Sequence, residues 1–239
     1  MRKQNAEKLI TQEKLMEILG EIFKAPFQVL EKLTEYNDVF AIGKGPSEVT
    51  TEQEPPIKMD ERSEIIPIDG YLGMYDLQLR EITIFNKGIR NASEIIECMP
   101  DDLTYVVRLH EWSHALVHIG LDKDGRLKAM RDDTYWIDLL EKLTSIFLSI
   151  ETTLHEHLAQ LLTYHALYEL YQDAEHEEAK DVISRIMTTF RKLNKWQPPE
   201  YKVDDYLEVS KGRIIESISL LKREWLKGSF EAWSAVMKW

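Results

Sequence analysis

The sequence predicts a predominantly helical α+β fold with one small antiparallel β-sheet, a hairpin, and additional helices at both ends. Apolar residues recur at spacings of three and four over most of the chain after residue 100, which is the period of an amphipathic helix. Alternation of apolar and polar residues is convincing in one region only, where Ile82 and Ile84 flank Thr83. A chain of 239 residues is long enough to bury one sizeable core.

The β-hairpin is predicted within residues 65–87. Two strands, at about 71–79 and 81–85, are expected to meet near Leu79 and Arg80. The stretch before them, 43–64, carries Gly45-Pro46 and Pro55-Pro56 and has little apolar periodicity. We therefore expect this stretch to be a loop or linker, and it is the one candidate domain boundary.

Helices are predicted on both sides of the hairpin. One helix begins at a cap formed by Asp101 or Asp102 and ends near Ile119, where Gly120 supplies a stop. Pro198-Pro199 separates the last two helices. The other helical ranges are 6–36, 134–150, 151–170, 175–193 and 203–237. The prediction is a single domain, 1–239, with a core at about 65–172, an N-terminal helix at 6–36 and a C-terminal helical part at 175–239.

Composition narrows the class of partner. The formal net charge of −12 disfavours nucleic acid and anionic membrane surfaces, because both require a concentrated basic face. No apolar run approaches the roughly 20 residues that span a bilayer, and the N-terminus lacks a signal-peptide apolar stretch. The single cysteine, Cys98, cannot form an intrachain disulfide, so a cytoplasmic location is expected. Aromatic residues near the end are typical of a core or a homodimer surface; they are Trp225, Phe230, Trp233 and Trp239.

The motif that carries chemistry is His110-Glu111-Trp112-Ser113-His114. On the predicted helix, His110 and His114 lie one turn apart on the apolar face. That spacing lets both imidazoles bind one metal ion at distances of about 2.0–2.1 Å. Glu111 lies beside them and could act on a water molecule without binding the ion. The alternative is a core helix that carries two histidines and a glutamate by chance.

A catalytic zinc site needs a third protein ligand. His118 is the nearest candidate, but three positions on one straight helix do not surround a single ion. Glu156 is the better candidate, because small residues on its face would let its helix pack closely against the first; these are Thr152, Ala159, Thr163 and Ala166. Glu151, His155 and His157 remain rivals. His157, Tyr164 or His165 could instead donate a hydrogen bond to a reaction intermediate.

Residues 82–120, with Ile-Thr-Ile-Phe followed by Val-Val-Arg-Leu-His-Glu-Trp-Ser-His, resemble the zincin-type metallopeptidases. The glutamate-ligand branch, the gluzincins, fits best, since the metzincin pattern fails at Val117 and Gly120. The local pattern is most similar to the ImmA/IrrE-like peptidases, in which a second helix bears Glu-x-x-Ala. Here that second motif is Glu156-His157-Leu158-Ala159, and the resemblance covers roughly residues 70–170.

This resemblance implies a zincin-like core with Zn²⁺ bound by His110, His114 and Glu156. Glu111 would be the general base, and residues 81–85 would form the edge strand that pairs with a peptide or protein substrate. The expected activity is zinc-dependent hydrolysis of peptide bonds. The metzincin pattern, H-E-x-x-H-x-x-G-x-x-H, is absent from the chain.

Two alternatives stay open. One is a zincin-like protein that has lost catalysis and serves as a metal-binding regulatory module, although the retained Glu111 argues against it. The other is a ferritin-like di-iron protein, for which Glu111 and His114 supply one Glu-x-x-His. Such a bundle needs a second Glu-x-x-His. Glu151 and His155 are four residues apart rather than three, and the hairpin has no place in that bundle.

Overall fold

The fold is mostly helical with a three-stranded sheet, as the α+β prediction requires. The computed structural model describes residues 28–30, 46–59, 65–120, 141–216 without 142, 146 and 149–151, and residue 218. Its elements in chain order are β1 (Ser47–Thr51), β2 (Gly73–Asp76), β3 (Glu81–Phe85), α1 (Asn86–Ile95), α2 (Pro100–Ile119), α3 (Thr152–Asp173), α4 (Glu177–Trp196) and two 3₁₀-helices, Pro199–Tyr201 and Asp204–Tyr206.

The predicted hairpin is confirmed, with a shorter first strand. β2 and β3 pair antiparallel, and Met74 lies opposite Thr83. The carboxylate of Asp76 closes the turn by accepting hydrogen bonds from the backbone N–H groups of Gln78 and Leu79, at 2.8 and 2.7 Å. Arg80 completes the turn with a φ of 53°.

Two predictions about the sheet are wrong. Residues 43–64 are not all loop, because β1 lies within them and pairs parallel with β3. The strand order β1-β3-β2 makes the sheet mixed rather than antiparallel, and it places β3 in the centre rather than at an edge. β1 has the polar sequence Ser-Glu-Val-Thr-Thr and is largely exposed, so backbone pairing with a distant strand creates it rather than its own hydrophobic pattern.

Helix α2 forms over nearly the range predicted for it. Pro100 occupies its first turn, where the missing N–H has no cost, and Gly120 follows its last residue. The predicted capping role of Asp101 or Asp102 is wrong, since the N-cap is Met99 and no side chain caps the helix. Asp102 is instead buried, and its two carboxylate oxygens accept hydrogen bonds from Arg185 of α4 at 2.6 and 3.0 Å.

Replacing Asp102 by asparagine should lower the free energy of unfolding by about 1–2 kcal/mol. The bidentate, charge-assisted contact with Arg185 is lost. Hydrogen bonds that the half-exposed guanidinium donates to water replace only part of its stabilising energy. The adjacent Asp101→Asn, at an exposed position of the same helical turn, is the matched control. Urea unfolding monitored by circular dichroism compares the two, and equal midpoints would contradict the expected effect.

The helices surround α2. Ala159, Thr163 and Ala166 of α3 are fully buried, in agreement with the predicted close packing of that face. α1 was not predicted, and it fills the connection between β3 and α2. Pro198-Pro199 does end α4, as expected.

Several predictions fall outside the described residues: most of the helices at 6–36, 134–150 and 203–237, and the terminal aromatic residues. The single-domain assignment for 1–239 and the cytoplasmic location stay predictions. Among the helices that the structure describes, none has the length and apolarity to cross a membrane.

Candidate metal centre

His110 and His114 project from the buried middle of α2. Their Nε2 atoms lie 2.9 Å apart, and their rings meet edge to face with centroids 4.5 Å apart. Both side chains are almost completely buried. The i, i+4 spacing therefore brings two imidazole nitrogens to one point, as the sequence predicted.

Glu156 of α3 reaches the same point. Its Oε2 atom lies 3.3 Å from His110 Nε2 and 3.4 Å from His114 Nε2, and its side chain is fully buried. A tetrahedral zinc site with bonds of about 2.0–2.1 Å has ligand-to-ligand edges of about 3.3–3.4 Å. The three observed separations, 2.9, 3.3 and 3.4 Å, are close to those of three ligands on one ion.

A fourth residue, Asp69, belongs to the same cluster. One ligand atom from each of Asp69, His110, His114 and Glu156 lies within 4.8 Å of all the others. The hydroxyl of Tyr201 donates a hydrogen bond to Asp69 Oδ2 at 3.2 Å. Neither Asp69 nor Tyr201 was predicted. No local spacing relates them to the motif, and only the turn before β2 and the 3₁₀-helix after α4 bring them there.

The electrostatics of the cluster call for a compensating positive charge. Burial, followed by the negative charge of Glu156, raises the pKa of Asp69 to about 6. Burial lowers the pKa of His114, but the carboxylates of Glu156 and Asp69 outweigh that effect and raise the pKa to about 10. Burial, and then the charge of His114, lowers the pKa of His110 well below its usual value. The carboxylates gathered around this point thus favour a positive charge there, and a metal dication can supply it.

Unsatisfied polar atoms point in the same direction. Among the described residues, neither carboxylate oxygen of Glu156 has a hydrogen-bond partner. Buried polar atoms are seldom left without a partner unless an ion or water satisfies them. The donor set of two imidazole nitrogens and carboxylate oxygens is one that zinc accepts.

Glu111 lies beneath strand β2. A methyl group at Gly73 would lie 2.7 Å from Glu111 Oε1 and 2.7 Å from Val107 Cγ1, so the strand passes over the helix at minimal distance. Burial and then the charge of Asp69 raise the pKa of Glu111 well above its usual value, while the backbone N–H of Tyr75 lowers it slightly. Among the described residues, no side chain donates a hydrogen bond to this carboxylate.

The rival ligands occupy other places. His118 is held between the Tyr75 hydroxyl, at 3.0 Å, and Thr144 Oγ1, at 3.1 Å. His155 is nearer, with Nδ1 3.3 Å from Glu156 Oε1, but it is not among the four clustered residues. Glu151 lies outside the described residues.

The candidates for stabilising an intermediate have other contacts. The ring of His157 packs against Tyr206, and His165 Nε2–H donates to the Val209 carbonyl at 2.8 Å. Tyr164 packs against the rings of His165 and Phe190. These side chains are engaged with the C-terminal segments, whereas Tyr201 is the described hydroxyl group that contacts the cluster.

Strand β1 fixes the position of α2. The carboxylate of Glu48 accepts hydrogen bonds from Arg108 Nε at 2.6 Å and from Trp112 Nε1 at 2.8 Å. Trp112, inside the motif, therefore anchors the helix to the sheet. Since Trp112 is flanked by Glu111 and Ser113, this contact orients the helix about its axis at the level of the histidines.

A cleft of about 500 Å³ opens onto the cluster. Two of the clustered residues, His114 and Asp69, form part of its wall, as do Met74 and Tyr75 of β2. The remaining lining is mostly apolar: Pro56, Ile57, Gly70, Leu77, Phe147, Leu148 and His155. The described geometry thus combines a possible metal-binding cluster with an adjoining apolar cleft.

Comparison of the chain with protein-family models, with curated proteins and with solved structures returned no match. The chemical interpretation of the site therefore depends on its own geometry and charge.

Proposed function

We propose that the chain is a zinc-dependent peptidase whose ion is held by His110, His114 and Glu156. The observation that carries this proposal is the convergence of two imidazole nitrogens and one carboxylate oxygen at separations of 2.9–3.4 Å. Glu111, next to the first histidine, supplies a base at the same site. The resemblance to the gluzincins supports the same assignment and a zincin-like core.

The bound zinc ion would lower the pKa of water towards about 7 and polarise the carbonyl of the scissile bond. Glu111 takes a proton from the attacking water and passes it to the leaving amine. Its burial favours this role, because a carboxylate with a raised pKa is a stronger base than one in bulk water.

An outer strand of the sheet lies beside the site and could pair with a peptide substrate. β3 lies in the middle of the sheet, whereas β2 is an outer strand of the described sheet and contributes Met74 and Tyr75 to the cleft wall. We propose that β2, in place of residues 81–85, binds the substrate backbone by main-chain hydrogen bonds. The mostly apolar lining of the cleft would accept the substrate side chains.

One observation favours a second candidate, a metal-binding regulatory module without catalysis. Four possible ligands, rather than three, converge in the described part of the chain. Structural zinc sites are closed by four protein ligands, whereas catalytic sites keep one position for solvent or substrate. The ferritin-like di-iron protein has no comparable support. The homodimer stays a prediction from the sequence.

Metal removal tests the proposed function. Protein treated with a chelator and then dialysed should not cleave a mixture of unstructured peptides, and one equivalent of Zn²⁺ should restore cleavage. Mass spectrometry of the products measures both, and Mg²⁺ serves as the control ion because it prefers all-oxygen sites. Cleavage that survives complete zinc removal would exclude the mechanism. Stoichiometric zinc binding without any cleavage would favour the regulatory module.

A further inference from the structure

We infer that Asp69 is a fourth protein ligand of the same ion, so that the resting site is closed until a peptide displaces this side chain. The inference rests on the proposed zinc site and concerns its regulation. Neither the motif nor the small-residue face of α3 leads to Asp69, which comes from the turn just before β2.

The position of Asp69 fits a ligand. Its carboxylate lies within 4.8 Å of the ligand atoms of both histidines and Glu156. Two carboxylates this close inside a protein repel each other unless a proton or a cation lies between them. Since both imidazoles converge on the same point, a dication satisfies all four side chains together.

The charge balance favours the same arrangement. Two neutral imidazoles and two carboxylates around Zn²⁺ form a group with no net charge. Zinc with His110, His114 and Glu156 alone would keep one positive charge in an environment where Glu156 is fully buried. Burying a net charge is unfavourable, so the fourth carboxylate stabilises the loaded site.

Tyr201 holds Asp69 in place. Its side chain is 6% exposed, and its hydroxyl donates to Oδ2. In this proposal Asp69 would bind the ion through its other oxygen, Oδ1. Ligating side chains are commonly oriented by such hydrogen bonds from a neighbouring residue. The ring of Tyr201 also lies near that of His110, with centroids 6.3 Å apart.

Asp69 also lines the cleft, so it belongs both to the cluster and to the surface that a substrate would contact. The same turn leads directly into β2, and a backbone bridge joins Asp69 to Gly73, the first residue of that strand. A peptide that pairs with β2 would therefore lie beside Asp69 as well as beside His114, which lines the same cleft. Withdrawal of this carboxylate would open the position that a catalytic site keeps for solvent or substrate.

Metal affinity and the visible spectrum of bound Co²⁺ test the inference without any reliance on cleavage. Full-length wild type, Asp69→Asn and Asp69→Ala are titrated with Zn²⁺ against a chromophoric chelator and loaded with Co²⁺ for visible spectroscopy. We expect the zinc Kd to rise at least about 10-fold in both variants. We also expect their Co²⁺ bands to shift, because water or an amide oxygen in place of the carboxylate changes the ligand field of the ion. The exposed Asp181→Asn is the matched control.

Tyr201→Phe should produce a smaller rise in Kd than the Asp69 variants, whereas Tyr168→Phe, at a 42% exposed position, should produce none. An unchanged Kd and an unchanged Co²⁺ spectrum in both Asp69 variants would overturn the inference. Glu156→Ala separates the two proposals. If it weakens zinc binding while the Asp69 variants do not, only the fourth ligand is wrong. If it has no effect either, the proposed zinc site itself is wrong.

Discussion

Glu111→Gln should retain zinc with near wild-type affinity and lose hydrolysis by a factor of about 10²–10⁴, the usual contribution of a general base. Glutamine has nearly the shape of glutamate, so the space beneath Gly73 stays filled. It cannot accept a proton from the attacking water. Because Glu111 is not one of the clustered ligands, the ion is expected to remain bound.

The measurement pairs initial rates of peptide cleavage with zinc content determined by elemental analysis. Glu94→Gln, at an exposed position of α1, controls for the loss of one negative charge. Full activity in a zinc-loaded Glu111→Gln protein would mean that another group carries the proton. Loss of zinc together with activity would mean that Glu111 is a ligand rather than a base.

Glu156→Ala should raise the zinc Kd by about 100-fold or more and remove most of the stability that zinc confers. At a free zinc concentration 1,000 times the Kd, wild-type protein gains about 4.1 kcal/mol from binding. A 100-fold weaker variant at the same concentration would gain only about 1.4 kcal/mol. Thermal unfolding with and without zinc measures this difference.

Comparing the zinc-free and zinc-bound forms of each variant separates the effect of losing a ligand from the effect of creating a cavity. Truncation of a buried side chain destabilises both forms, but only the loss of a ligand reduces the difference between them. Glu178→Ala, at an exposed position of α4, is the matched control. A zinc-dependent gain in Glu156→Ala equal to that of wild type would exclude Glu156 from the site.

Local sequence patterns were sufficient to predict the helical part of the site. The two histidines are one turn apart in any α-helix, and Gly120 marks the end of α2 in the sequence as well as in the fold. The small residues beside Glu156 predicted a closely packed face, and the structure buries Ala159 and Thr163 completely. In these cases the period of the helix determines which side chains share a surface.

Features that depend on distant pairing could not be predicted. β1 consists largely of polar residues and becomes a strand through its backbone contacts with β3, 34 residues later, so β3 was mistaken for an edge. Asp69 joins the cluster through the turn before β2, and Tyr201 joins it from the 3₁₀-helix that follows α4. A lone aspartate and a lone tyrosine carry no periodic signal, and only tertiary packing brings them to the histidines.

The close passage of β2 over α2 has a consequence for how Glu111 is oriented. The strand backbone at Gly73 and the Val107 methyl group limit the space open to the Glu111 side chain. Many catalytic carboxylates are oriented by side-chain donors, whereas no described side chain donates to Glu111 and the nearby donor is the backbone N–H of Tyr75. Close packing against a strand can thus restrict the position of a carboxylate while leaving it able to exchange protons. Gly73 is thus important to the site because a larger residue at this position would displace the Glu111 carboxylate.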